Sequence, residues 1–248
     1  MEFSEQVLFL HLGKFKEADV WVRFLSPTRG LLTAFAFGGV RSRNRFIGCL
    51  DIFNEVDVKI TSSGRGSYLA LHEGILVKGL SRLRTDTLRL GMAANCSSFL
   101  QTFGVFPEGA EAAHFLMVQT LRLLEEKDSP PKLLPIFFRA RLAFDQGYAL
   151  DTQRCGICGQ GLGQQHARLL LNDGQLACPH CAHPHMGQQI PCGPQARELL
   201  SRIHALSPLD WDALPSSQQA ARECARLIDG FVHYHMGIRW ENSRFVRR

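Results

Sequence analysis

Residues 19–37, DVWVRFLSPTRGLLTAFAF, decide how the N-terminal part of the chain is read. Val20, Val22 and Phe24 alternate with Trp21 and Arg23, the period-two pattern of a strand with two unlike faces. Ser26-Pro27-Thr28-Arg29-Gly30 is turn chemistry, with Pro setting one dihedral and Gly supplying another that L-residues resist. Residues 31–37 resume a strand, which Gly38-Gly39 ends. Working outward, residues 7–12 (VLFLHL) form an earlier strand, joined through the polar loop GKFKEAD. Residues 47–60 (IGCLDIFNEVDVKI) and 68–77 supply two later ones, separated by a flexible SSGRG turn at 62–66. About five strands with no helix between them predict a small antiparallel barrel.

Beyond residue 79 the period changes. Leu80, Leu83, Leu88, Leu90, Met92 and Phe99 lie in a Pro-free helical stretch. Residues 110–126 carry Phe115, Met117, Val118, Leu121 and Leu124 at helical spacing. Asp128-Ser129-Pro130-Pro131 breaks that helix, and residues 132–146 form another that Gly147 stops. Helices return at 194–206 and again from Ser216-Ser217, where a serine caps the exposed amides; Gly237 ends the last one. Fold class is therefore α+β. The expected divisions are 1–78 (barrel), 79–154 (helices), 155–192 (an insertion) and 193–248 (helices again).

The insertion is poor in large apolar residues and cannot build an ordinary core. It contains Cys155-Gly-Ile-Cys158 and Cys178-Pro-His-Cys181, two C-x-x-C pairs separated by nineteen residues. Each tight turn lets two thiolates face one ion, and two such knuckles complete the tetrahedron of structural zinc. The intervening ARLLLNDGQLA reads as a hairpin turning at Asn172-Asp173-Gly174. Four thiolates leave no open coordination position, so the expected cofactor is one structural Zn2+ rather than a catalytic ion. His166, His180, His183, His185 and Cys192 are nearby spare donors, read as ordinary loop residues. Cys49, Cys96 and Cys224 read as buried small hydrophobes.

The chain carries a net charge of +5, within ordinary variation, so placement matters more than total. Arg41, Arg43 and Arg45 alternate in VRSRNRF, and Lys14 and Lys16 alternate in the first loop. In extended backbone such spacing puts the cations on one face, suited to successive phosphates. Phe15 and Phe46 beside them suit base stacking. Arg139 and Arg141 interrupt an apolar helix, where an arginine can receive a partner's carboxylate. Catalysis has no support: P-loop, G-x-S-x-G, H-E-x-x-H and Rossmann patterns are all missing. No apolar run approaches the ~18 residues of a membrane span, no signal peptide is recognisable, and the eight cysteines fit reduced thiols and a metal, which together predict a cytoplasmic protein.

KEADVWVRFLSPTRGLL, GGVRSRNRFIGCL, FRARLAFDQGYALDTQRCGICG, the second knuckle CPHC and HYHMGIRWENSRFV, in this order and spacing, resemble the RecO family. The resemblance implies an N-terminal OB-fold, then a helical domain with inserted zinc knuckles. It implies a non-enzymatic, nucleoid-associated mediator of DNA repair and recombination after DNA damage. Such a protein binds single- and double-stranded DNA, anneals complementary strands and engages the acidic C-terminal tail of single-stranded DNA-binding protein. It acts with RecR, in the RecFOR pathway, to load RecA. The family's basic surface corresponds here to Arg41, Arg43 and Arg45 with Lys14 and Lys16, and Arg139 and Arg141 are candidates for the acidic tail. An OB-fold/zinc-ribbon adaptor in RNA binding or transcription is the alternative reading.

Overall fold

Val20, Val22 and Phe24 turn inward and Trp21 and Arg23 outward, as the alternation requires, in a computed structural model that describes residues 2–63, 68–214 and 217–247. Strands β1 (Glu2–Lys14), β2 (Val20–Ser26), β3 (Gly30–Ala36), β4 (Glu55–Ser62) and β5 (Leu69–Lys78) close into a barrel in the order β1-β2-β3-β5-β4. The strand β1, 13 residues long, is the seam. Its first half pairs with β4 and its second with β2, and a bulge between Phe9 and His11 turns it from one partner to the other. Only β3 and β5 run parallel, through Ala34–Leu69 and Phe35–Ala70. Val7, Phe9, Val22, Phe24, Val56, Ile60 and Leu71 fill the interior.

Residues 47–54 are not strand. A 3-10 turn at Gly39–Arg41 and a series of turns connect β3 to β4, and strand begins only at Glu55. The apolar residues here are plugs: Phe46 and Cys49 are buried in the barrel core, and Phe53 is buried with φ +62°. The Asn54 side-chain amide donates to the carbonyls of Gly48 and Cys49 and holds the loop shut. An apolar run of this composition suits a strand and a core-filling loop equally. Residues 64–66 of the SSGRG turn lie outside the described residues, as does Ser216.

The described chain divides into two units: residues up to Leu90 with Gly104–Leu121, and Gly91–Phe103 with the remainder from Arg122. The expected single helix after residue 80 is two, α1 (Ser81–Thr85) and α2 (Thr87–Phe103). Asp86 separates them, its Oδ1 accepting the Leu88 and Arg89 amides as an N-cap. These amide hydrogen bonds, that of Arg89 first, hold its carboxyl below the usual range. Helix α3 spans Ala110–Glu126, matching its period.

In the second unit α4 (Leu134–Ala143), α5 (Pro194–Ala205) and α6 (Gln218–Met236) pack mutually, with Trp211 wholly buried edge-on to Phe137. Ser217 caps α6 through the Ala220 amide, and Gly237, at φ +64°, ends it. A hairpin, β9 (Ile238–Glu241) and β10 (Arg244–Arg247), follows, after the three-stranded ribbon of β6 (Ala167–Leu170), β7 (Gln175–Ala177) and β8 (Gln189–Cys192) earlier in the chain. Gly230 on α6 positions that ribbon, because a Cβ there would collide with the Ile190 side chain of β8. Among the described residues no helix is long and apolar enough to cross a membrane.

Gly30 and Gly48 both have positive φ, but a Cβ on Gly30 would also strike the Val105 carbonyl, whereas Gly48 has open space. Gly48→Ala should therefore cost only backbone strain, about 1 kcal/mol, and Gly30→Ala about 2–4 kcal/mol, read as the shift in urea unfolding midpoint. Equal losses would show that the Val105 approach is not a constraint.

Candidate nucleic-acid interface and metal centre

The outer face of β1, β2 and β3 carries a contiguous aromatic surface. Trp21 pairs across the ladder with Phe35, so both side chains share this face. The Trp21 indole lies over Gly13, where a Cβ would collide with it, and stacks on His11 with centroids 5.0 Å apart and planes 13° from parallel. Phe35 then meets Phe15 at 5.2 Å, Phe37 at 6.2 Å and Tyr68 at 6.1 Å, and Phe37 meets Tyr68 at 5.8 Å. Phe15, Phe37 and Tyr68 are 53%, 41% and 43% exposed. Rings that pack on one another yet keep their faces open form a platform for flat apolar groups. The sequence reading identified Phe15 alone. The signal it missed is the second half of the same alternation, in which Trp21, Phe35 and Phe37 are the residues left outside.

Of the five expected cations, Lys16 and Arg45 touch this face, and the five do not form one row. Lys16 lies over the Phe15 ring at 5.6 Å. Arg45 Nη2 donates to the Phe37 carbonyl (2.7 Å) and its guanidinium covers Phe46. Arg41 pairs at 3.5 Å with Glu17, both exposed. The extended backbone expected for residues 41–45 is replaced by the 3-10 turn and by an Arg45 amide bonded to Ser42 Oγ, so period-two spacing does not align the three arginines. Phe46 is buried in the barrel core and is not one of the rings of the exposed aromatic surface. Lys14 and Arg43 instead rim a separate cleft of about 680 Å3.

The two C-x-x-C turns converge. The sulfurs of Cys155, Cys158, Cys178 and Cys181 all lie within 4.8 Å of one another, and Cys158 and Cys178 are 4.0 Å apart. The β6–β7 hairpin brings the second knuckle back to the first, with Gly174 at φ +64° in its turn. Gly156 packs against Gln175, leaving no room for a side chain. Burial pushes the Cys155 thiol up, yet the amides of Cys158, Cys178 and Ile157 outweigh it and bring the pKa to about 6. Cys181, crowded by the sulfurs of Cys178 and Cys158, is pushed up to about 12. Four thiols this close do not all ionise without a cation between them, and the donor set fits a soft or borderline metal ion. His166, His180, His183, His185 and Cys192 are not in the cluster. Cys49, Cys96 and Cys224 are buried, and desolvation raises their thiols to about 11, 12 and 12.

Arg139 and Arg141 are engaged within the chain. Arg139, almost fully buried, donates Nε and Nη2 to Asp229 (3.1 and 2.8 Å) and Nη1 to Asn95. Arg141 binds Asp145 and the carbonyls of Ile203 and Leu206. Each guanidinium already holds a carboxylate of its own chain: Arg141 one four residues on, at helical spacing, and Arg139 one ninety residues away that periodicity cannot reveal.

Comparison with known proteins accounts for almost the whole chain. Residues 1–80 match the family described as Recombination protein O N terminal, and residues 84–245 that described as Recombination protein O C terminal. The chain is 45% identical to the DNA repair protein RecO of Oleidesulfovibrio alaskensis over the full length of both. It is 45% identical to that of Nitratidesulfovibrio vulgaris and 38% identical to that of Lawsonia intracellularis, again with both chains fully covered.

Cys178 is one of two buried members of the cluster, with Cys155, and its amide donates to Cys155 Sγ at 3.3 Å. Cys178→Ser should abolish retention of a metal ion by the purified protein and lower its unfolding midpoint. A variant as stable as the parent, with the parent itself indifferent to chelator, would show a cluster of thiols without a metal.

Proposed function

Because the chain belongs to the RecO family of DNA repair proteins, we propose that it acts in recombinational repair as a non-enzymatic mediator, its barrel gripping DNA through the aromatic face and surrounding cations. The observation that carries this reading is the platform of Phe15, Phe35, Phe37 and Tyr68 on the outer face of a closed five-stranded barrel. That face of such barrels, with its flanking loops, is where oligonucleotides bind. Bases of a single strand stack on the rings, while Lys14, Lys16, Arg41, Arg43 and Arg45 meet phosphates. Double-stranded DNA offers the cations alone. In this division residues 1–78 bind nucleic acid and residues 155–192 carry the metal, read as one structural zinc because four thiolates leave no open coordination position.

Strand annealing follows from the same surface. Two polyanions must approach, and cations that release counterions from one strand lower the repulsion felt by the second. No nucleotide hydrolysis is needed. Engagement of the acidic tail of single-stranded DNA-binding protein, and cooperation with RecR in loading RecA, belong to this reading too. A tail binding at Arg139 or Arg141 would have to displace Asp229 or Asp145, so the reading does not rest on those two arginines.

Stacking and phosphate contacts separate by their salt dependence. Five phosphate contacts to a single strand give a slope of log K against log salt of about −3.5. Arg43→Ala should reduce that slope by about 0.7, whereas Phe37→Ala should weaken single-strand binding by about 1–3 kcal/mol and leave it unchanged. Annealing of complementary oligomers should fall with both. Preference for RNA over DNA of the same sequence would favour the RNA-adaptor reading instead, since only RNA has a 2′-OH to recognise.

A further inference from the structure

The cleft beside the aromatic face is unlike the rest of the barrel surface. Its floor is Leu12, Val20, Phe46 and Leu50, and its lip is formed by Val40 and Ile47, which are 51% and 68% exposed. Lys14 and Arg43 stand at its rim, and among the described residues neither has an ion-pair partner. The one acid there, Asp51, is already engaged by Arg84 Nε (2.9 Å) and by the Ile52 amide. An apolar hollow of about 680 Å3 with unneutralised cations at its edge is of a size to take a small flat group attached to an anion.

We propose that this cleft receives one unstacked base of a bound single strand, with Lys14 and Arg43 holding the phosphates on either side of it. The inference rests on the reading of the aromatic face as a nucleic-acid site and adds a second, different subsite to it. The two are continuous through the backbone at three places. Lys14 rims the cleft while Phe15 joins the rings; Gly39 lines the cleft two residues after Phe37; Phe46 floors it next to Arg45, which holds the Phe37 carbonyl. Consecutive Cα atoms are only about 3.8 Å apart, so at these places the two linings come within a few residues' reach of one another. At the rim Ser42 Oγ accepts the Arg45 amide and keeps its own hydrogen for a base edge.

A nucleic-acid strand uses every part of this arrangement at once, because phosphates flank each base. An acidic peptide would engage a cation but gain nothing from the neighbouring rings. A base held here is out of its stack and cannot be paired. Duplex could fill the cleft only by unpairing, so the cleft favours single strands over duplex.

The test uses the full-length protein and a thymidine oligomer carrying a single 2-aminopurine, which brightens when unstacked and is quenched against aromatic rings. Binding should brighten it. Ile47→Asp places a carboxylate at an exposed lip position, and should abolish the brightening and weaken single-strand binding about tenfold, with a smaller loss of duplex binding through the nearby cations. Val40→Trp, which fills the cleft without charge, should also abolish the brightening. Bound oligomer that stays quenched, with both variants binding like the parent, overturns the cleft and leaves the aromatic face standing. No binding of the oligomer to the parent overturns both readings. If Ile47→Asp weakens only an acidic, apolar-ended peptide, the cleft is a protein-docking site and the inference is wrong.

Discussion

A barrel strand allows each side chain only two directions, and this constraint places everything else on the N-terminal unit. Val22 and Phe24 fill the interior together with Val7, Phe9, Ile60 and Leu71. Trp21, Arg23 and Phe35 must then face out. A one-residue slip of β2 would exchange the rows and expose several large side chains, each costing about 1.5–3 kcal/mol. Stacking one base returns about 1–3 kcal/mol. The core therefore sets the register, and the outer face inherits a fixed row of aromatics before any ligand arrives. Gly13 completes it, since only bare backbone lets the Trp21 indole lie flat beside His11.

The ribbon of the second unit is small, and it buries Leu169, Leu170 and Leu176. Its two knuckles depend on four sulfurs meeting at one point, and its place on the helices depends on a few specific attachments. Arg197 of α5 is buried and donates to the carbonyls of Thr152, Gly163 and Gln165 at 3.1, 2.7 and 2.9 Å, tying both sides of the first knuckle to the helix. Tyr234 donates to Asn172 Oδ1 in the hairpin turn at 2.7 Å, and Ile190 occupies the gap left by Gly230. These hold the ribbon as a body, while main-chain bonds close the knuckles, with the Gly159 amide donating to the Cys155 carbonyl and the Ala182 amide to the Cys178 carbonyl.

Where residues act through local pattern, the sequence was readable. The five strands, α3, the hairpin at Asn172-Asp173-Gly174, the Ser217 cap and the four-cysteine convergence all rest on spacing or turn chemistry. What spacing does not carry is the partner. Residues 47–54 look like strand because plugging a barrel and lining one select the same apolar side chains; the Asn54 clasp and the Gly74 amide bonded to the Arg45 carbonyl help distinguish them. The helix break at Asp86 is a capping event hidden in a Pro-free stretch. Arg139 looked available because Asp229 lies ninety positions away.

That last difference separates the arginines by use. A guanidinium as deeply buried as that of Arg139 requires its carboxylate, and removing either partner leaves an uncompensated charge. Arg41 and Glu17 are both exposed, where an ion pair is worth at most about 1 kcal/mol, so Arg41 is only loosely held. Among the described residues Lys14, Lys16 and Arg43 have no acid to release at all. The cations around the rings thus hold their charge ready for a polyanion, while those in the helices are committed to the fold. A platform of rings and loosely held cations reads neither base identity nor order, because every base has a face and every nucleotide a phosphate. Under the proposed function, damage falls at any sequence, and such a surface serves that role better than donors and acceptors aimed at base edges.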